Sequence, residues 1–122
     1  MDATTRRGQR MKNKSRKAKG RYLQNIVRDK ILKLFPRMTR DDIRTSLMSE
    51  NGADVKLLSQ MARKLFAYSI ECKNREDYKT IYNAYKHAQS HSSMTPLLVI
   101  KMNREKPLAV IDLDHFFDLQ SD

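Results

Sequence analysis

The chain has 122 residues, with 25 Lys and Arg against 14 Asp and Glu for a formal net charge of +11, and a single cysteine. That length holds one domain-sized core. The lone Cys72 excludes an intramolecular disulfide and a zinc framework and fits a reducing, intracellular setting. No apolar run approaches a membrane span, so no membrane association is expected, and the N-terminus lacks the apolar region of a secretory signal. Three glycines, Gly8, Gly20 and Gly52, form no phosphate-cradling loop, so no nucleotide cofactor is expected.

Residues 1–21 hold nine basic residues, Arg6, Arg7, Arg10, Lys12, Lys14, Arg16, Lys17, Lys19 and Arg21, and one acid, so eight of the eleven net positive charges lie there. Blocks of like charge repel themselves and act as nucleic-acid arms, so residues 1–20 are expected as a disordered basic DNA-binding arm, with a single domain over 21–122. Its few apolar residues, Ala3, Met11 and Ala18, give it no face for insertion into a lipid surface. Leu23, Ile26, Val27, Ile31, Leu34 and Phe35 then recur at helical spacing, which predicts an amphipathic helix over 21–35 that Pro36 closes. Thr39, Asp41 and Asp42 read as a connecting turn.

A strand is expected over 43–48, and Asn51-Gly52 supplies the positive φ of a tight hairpin turn leading to a second strand through Leu58. Ser59 is placed to cap a short helix ending near Phe66, and the chain then enters a strand from Tyr68 to Lys73. Residues 75–90 are helical in pattern, with Tyr78, Ile81, Tyr82, Tyr85 and Ala88 on one packing face. Two apolar strands follow Pro96 and Pro107, and Asp114 is placed to cap a final helical turn. The order is that of an α/β protein, with helices covering a sheet of about five strands.

Alternation along Ser69-Ile70-Glu71-Cys72-Lys73-Asn74 sets Glu71 and Lys73 on one face and Ile70 and Cys72 on the other. If the segment around Asp54 is the neighbouring strand, two carboxylates meet and resist joint ionisation unless a cation lies between them. Magnesium suits this arrangement, because it takes oxygen ligands, keeps several waters and needs only one or two protein carboxylates; Asp54, Glu71 and the backbone carbonyl of Cys72 would suffice. An acid on one strand followed by Glu-x-Lys on the next resembles the PD-(D/E)XK nucleases, especially small phage-encoded and Holliday-junction-resolvase-like members; the Pro-Asp of that family is Ala53-Asp54 here. The resemblance implies a restriction-endonuclease-like core, a mixed sheet flanked by helices, and an Mg²⁺-dependent endonuclease for which Mn²⁺ can substitute. It also implies Asp54 and Glu71 as metal ligands, Lys73 aligning the attacking water, and an accessory residue at His87 or Gln89.

Expected partners are DNA, with branched DNA foremost, and a second copy of the chain, since a two-fold pair sets two sites against two strands. A sequence-specific or nicking endonuclease is the nearest alternative, and a non-catalytic nucleic-acid-binding protein is the alternative of another class. His87 and His91 share a helix face but lack a third ligand, so the expectation is solvated histidines rather than a metal site.

Overall fold

The computed structural model describes the backbone of residues 3–47 and 50–121 and the side chains of 17–47 and 50–121. The protein consists of two compact units, Met1–Asn74 and Arg75–Asp122. The architecture is mixed α/β, with α1 (Ala3–Leu34), β1 (Ile43–Thr45), β2 (Val55–Leu57), α2 (Gln60–Leu65), a short 3-10 turn over Glu76–Tyr78, α3 (Lys79–Gln89), β3 (Leu98–Ile100), β4 (Leu108–Val110) and α4 (Leu113–Gln120).

In the first unit α1 packs on β1 and β2, and α2 packs on β2. The expected spacing on α1 is realised: Val27 and Ile31, one turn apart, are buried, Ile31 completely, with Met38, Ile43, Val55, Ala62 and Phe66 closing the same core. Burying a side chain of that size contributes about 1.5–3 kcal/mol, so this small core is the main source of stability. Phe66 meets Phe35 edge-on at 6.2 Å and Tyr68 at 4.8 Å. The helix stops at Leu34 ahead of Pro36 as expected, but it begins at Ala3. The segment expected as a disordered arm is therefore helical in continuity with residues 21–34, and Gly20 makes no break. A single glycine costs a helix only about 1 kcal/mol, and its neighbours Arg16, Lys17, Ala18, Lys19 and Arg21 are mostly strong helix formers. The side chains of Arg6, Arg7, Arg10, Lys12, Lys14 and Arg16 lie outside the described residues; Lys17, Lys19 and Arg21 are exposed.

β1 and β2 form an antiparallel hairpin pairing Ile43 with Leu57, Arg44 with Lys56 and Thr45 with Val55. The connection between them is longer than a two-residue turn, because it carries its own fastening. Cross-strand partners Arg44 and Lys56 are like charges that would repel, and the loop carboxylate Glu50 reaches back to both. Arg44 donates twice, at 2.9 and 3.0 Å, Lys56 Nζ stands 3.8 Å away, and the Leu47 amide adds a longer bond. Gly52 meets the positive φ required here, at 97°. A Cβ there would also come within 2.9 Å of Lys56 Nζ, which bonds the Asn51 carbonyl at 2.7 Å. α2 begins where expected, its cap Ser59 accepting from the Ala62 amide at 3.0 Å.

The expected strand from Tyr68 to Lys73 is reduced to one antiparallel bridge, Val55 to Ile70. Its side chains still alternate, with Ile70 and Cys72 half-buried and Ser69, Glu71 and Lys73 exposed. What is missing is an apolar outward face to hold a longer ladder. In the second unit β3 and β4 pair antiparallel, Leu98 with Val110 and Ile100 with Leu108, and α3 packs on β3. The five-stranded mixed sheet is thus corrected: among the described residues there are two separate two-stranded sheets, and no restriction-endonuclease-like core is formed by them. Two further expectations change. Asp112 rather than Asp114 caps α4, accepting from the His115 amide at 3.0 Å. The tyrosine face of α3 is only half covered, with Tyr82 64 % exposed, because a two-stranded sheet is too narrow to bury it. Among the described residues no helix is long and apolar enough to cross a membrane.

Hydrogen bonds from Arg44, opposed by desolvation and aided by the Leu47 amide and the charges of Arg44 and Lys56, hold Glu50 down at about 2, against an ordinary 4.5. A carboxyl with a depressed folded-state pKa stabilises the fold above its unfolded pKa and loses that contribution as pH falls through the folded one. Glu50→Gln should therefore unfold at lower urea than the parent at pH 7, with the two midpoints converging between pH 4.5 and 2.

Candidate functional site

Asp54 directly precedes β2, and its amide, its carbonyl and one carboxylate oxygen are hydrogen-bonded. Its amide donates to the Ile70 carbonyl at 2.7 Å, its carbonyl accepts from the Ser46 amide at 2.8 Å, and its Oδ2 accepts from the Cys72 amide at 2.6 Å. The antiparallel bridge between Val55 and Ile70 and the bonds to Ile70 and Cys72 bring Asp54 alongside residues 70–72. Glu71 and Lys73 do share a face, with Lys73 Nζ 3.5 Å from Glu71 Oε1, and their side chains are 71 and 51 % exposed. An ion pair so open to water contributes little to stability, typically ~0 to 1 kcal/mol.

Cys72 lies within the electrostatic reach of both carboxylates. Burial first, and then the negative charges of Asp54 and Glu71, push its thiol from 9.0 to about 11. The thiol is therefore a poor nucleophile at neutral pH, as the absence of a neighbouring base in the sequence implies. The donors around it are hard carboxylate oxygens, and this chemistry fits Mg²⁺ or Mn²⁺, which are content with two carboxylates, a carbonyl and waters. Among the described residues no three His, Cys, Asp or Glu side chains gather, so any such ion would rest on Asp54, Glu71 and backbone oxygen.

Beside Asp54 a cleft of about 520 Å³ runs between α1 and the β1–β2 hairpin, lined by Lys17, Gly20, Arg21, Gln24, Asn25, Thr45, Ser46, Leu47, Glu50 and Asp54. Lys17, Arg21 and Gln24 recur at helical spacing and so form one polar stripe on α1. Gln24 braces the cleft through a 3.5 Å contact from its amide nitrogen to Ser46 Oγ. Glu71 and Lys73 are not among the lining residues, so of the three expected site side chains only Asp54 opens into it. Charge alone places Lys17 and Arg21 in a basic arm and does not single out Gln24, Asn25, Thr45, Ser46 or Glu50; the stripe at positions 17, 21 and 24 is the signal in the sequence that points to this face. His87 and Gln89 lie exposed on α3 in the second unit, where the His87 ring meets His91 edge-on at 5.0 Å.

No family model, curated protein or solved structure matches the chain.

Removing either carboxylate charge should bring the Cys72 thiol partway back toward its ordinary value, because a neighbouring anion disfavours the thiolate. The pH profile of iodoacetamide alkylation should move to lower pH in Asp54→Asn and in Glu71→Gln, while a shift in only one of them would show that the two charges do not meet at Cys72.

Proposed function

We propose that the protein is a divalent-cation-dependent DNA endonuclease, in which Asp54 and Glu71, with the Cys72 carbonyl, hold Mg²⁺ and Lys73 serves the attacking water. The observation that carries this reading is the hydrogen bond from the Cys72 amide to the Asp54 carboxylate, which ties that acid to the segment bearing Glu71 and Lys73. Bound between them, the cation would supply Lewis-acid polarisation of a phosphodiester and acidify a water.

The chain's own contribution is positional. The Cys72 amide fixes one oxygen of Asp54, which orients the remaining acceptor positions of that carboxylate. Lys73, beside Glu71 and half exposed, offers a cation that orients water and offsets negative charge developing on the phosphoryl oxygens. The basic residues of positions 1–21 would provide sequence-independent affinity, since each phosphate neutralised releases counterions. Branched DNA is the preferred substrate on this reading, with a homodimer presenting two sites to two strands. A sequence-specific or nicking enzyme would use the same residues.

The exposure of the Glu71–Lys73 pair favours a second reading, a non-catalytic nucleic-acid-binding protein in which the pair is structural. Linear, nicked, flap and four-way DNAs incubated with Mg²⁺ or Mn²⁺ separate the two. Under the first, cleavage is abolished in Glu71→Gln with binding retained, and in Lys73→Ala it falls ~10² to 10³-fold, the usual effect of losing one aligned electrostatic group. Cleavage of none of the four by the parent protein would leave the second reading. Sedimentation with four-way DNA should show two chains per junction, and a single chain would remove the dimer.

A further inference from the structure

The cleft between α1 and the β1–β2 hairpin is not accounted for by a metal site at Asp54 and Glu71. It has an ordered distribution of charge. On the α1 wall stand Lys17 and Arg21, with no ion pair to either among the described residues, followed by the amides of Gln24 and Asn25. On the hairpin wall Thr45 and Ser46 offer hydroxyls, and the two carboxylates differ sharply. Glu50 is saturated by Arg44 and Lys56, so its charge is cancelled within the protein. Asp54 meets only the Cys72 amide, which leaves its charge at the end of the cleft.

We propose that this cleft holds the sugar–phosphate backbone of one DNA strand, with Lys17 and Arg21 taking neighbouring phosphates and leading the strand toward Asp54. Residues four apart on a helix rise by about 6 Å along one face. That separation is comparable with neighbouring phosphates of a single strand, and both residues line the same cleft. The size selects a strand rather than a duplex, since a cavity of about 520 Å³ falls in the range that seats one small ligand, a nucleotide or two. Gln24, Asn25, Thr45 and Ser46 supply neutral donors of the kind that fix backbone register without reading sequence. Gly20, between the two cations, is open: an added Cβ meets nothing within 4 Å. The direction of travel, toward Asp54, rests on the nuclease reading; the strand-holding itself does not.

Binding of a fluorescent single-stranded oligonucleotide by the full chain, measured against salt with Ca²⁺ present, tests this. Lys17→Ala/Arg21→Ala should lose two phosphate contacts and flatten the log–log salt slope by about 1.4. Lys33→Ala/Arg37→Ala removes the same charge elsewhere in the first unit and should leave the slope close to that of the parent. Gly20→Glu should weaken binding without loss of helix content by circular dichroism. A blunt duplex of equal length should lose less affinity than the single strand in the Lys17/Arg21 variant. Equal changes in both alanine pairs, no change in either, or an equal loss on duplex would each overturn the strand-holding cleft. If the parent cleaves DNA in Mg²⁺, the Lys17/Arg21 variant should raise KM and leave kcat nearly unchanged. If the parent cleaves nothing, the nuclease reading fails, and the salt slopes still decide the cleft.

Discussion

Three segments of the first unit meet at Asp54. Its carbonyl holds the end of β1 through Ser46, its amide holds the 68–73 segment through Ile70, and its carboxylate holds that segment again through Cys72. The carboxylate bond is charge-assisted and short, a kind that contributes roughly 1.5–3 kcal/mol net. With only one bridge joining residues 68–73 to β2, this bond does much of what a longer ladder would do. The residue read as a functional acid is therefore also the tie that positions Glu71 and Lys73. A substitution keeping its shape and acceptor, such as Asn, separates these roles better than Ala does.

The sequence was most legible where local chemistry decides. The Leu23 to Phe35 spacing, the stop before Pro36, the Ser59 cap and the β3–β4 hairpin each depend on a few neighbouring residues, and each is found where the pattern sets it. It was least legible where extent depends on partners. Residues 68–73 alternate correctly but pair at a single point, because alternation fixes which side a residue faces and says nothing about how many backbone bonds form. The basic segment before Gly20 was read through its charge, while its intrinsic helix propensity and attachment to a growing helix carry the backbone on. Asp112 and Asp114 are equally good caps by composition, and the helix that starts after Asp112 carries the buried Phe117.

The candidate site follows the same division. Glu71 beside Lys73 could be read from spacing, since two residues apart on an extended segment always share a side. Bringing Asp54 beside residues 70–72 required a tertiary pairing, the bridge from the buried Val55 to Ile70. The cleft was hidden for another reason. Its two walls lie twenty or more positions apart in the chain, and the meaning of Lys17, Arg21 and Gln24 appears only once α1 lies against β1.

The hairpin carries positive charges at positions 44 and 56 on directly paired residues, and a single carboxylate at position 50 reconciles them. These three positions are consequently not independent as a sequence drifts. Loss of the carboxylate is harmful while both cations remain and far less so once one has become neutral, so the order in which changes arise decides which are tolerated. Replacing the Lys56 charge relieves the opposition but also removes the ammonium that ties down the Asn51 carbonyl beside Gly52. The loop thus has a preferred route of change, beginning at Arg44, and related sequences that keep Lys56 and Gly52 while varying positions 44 and 50 together would bear the imprint of that coupling.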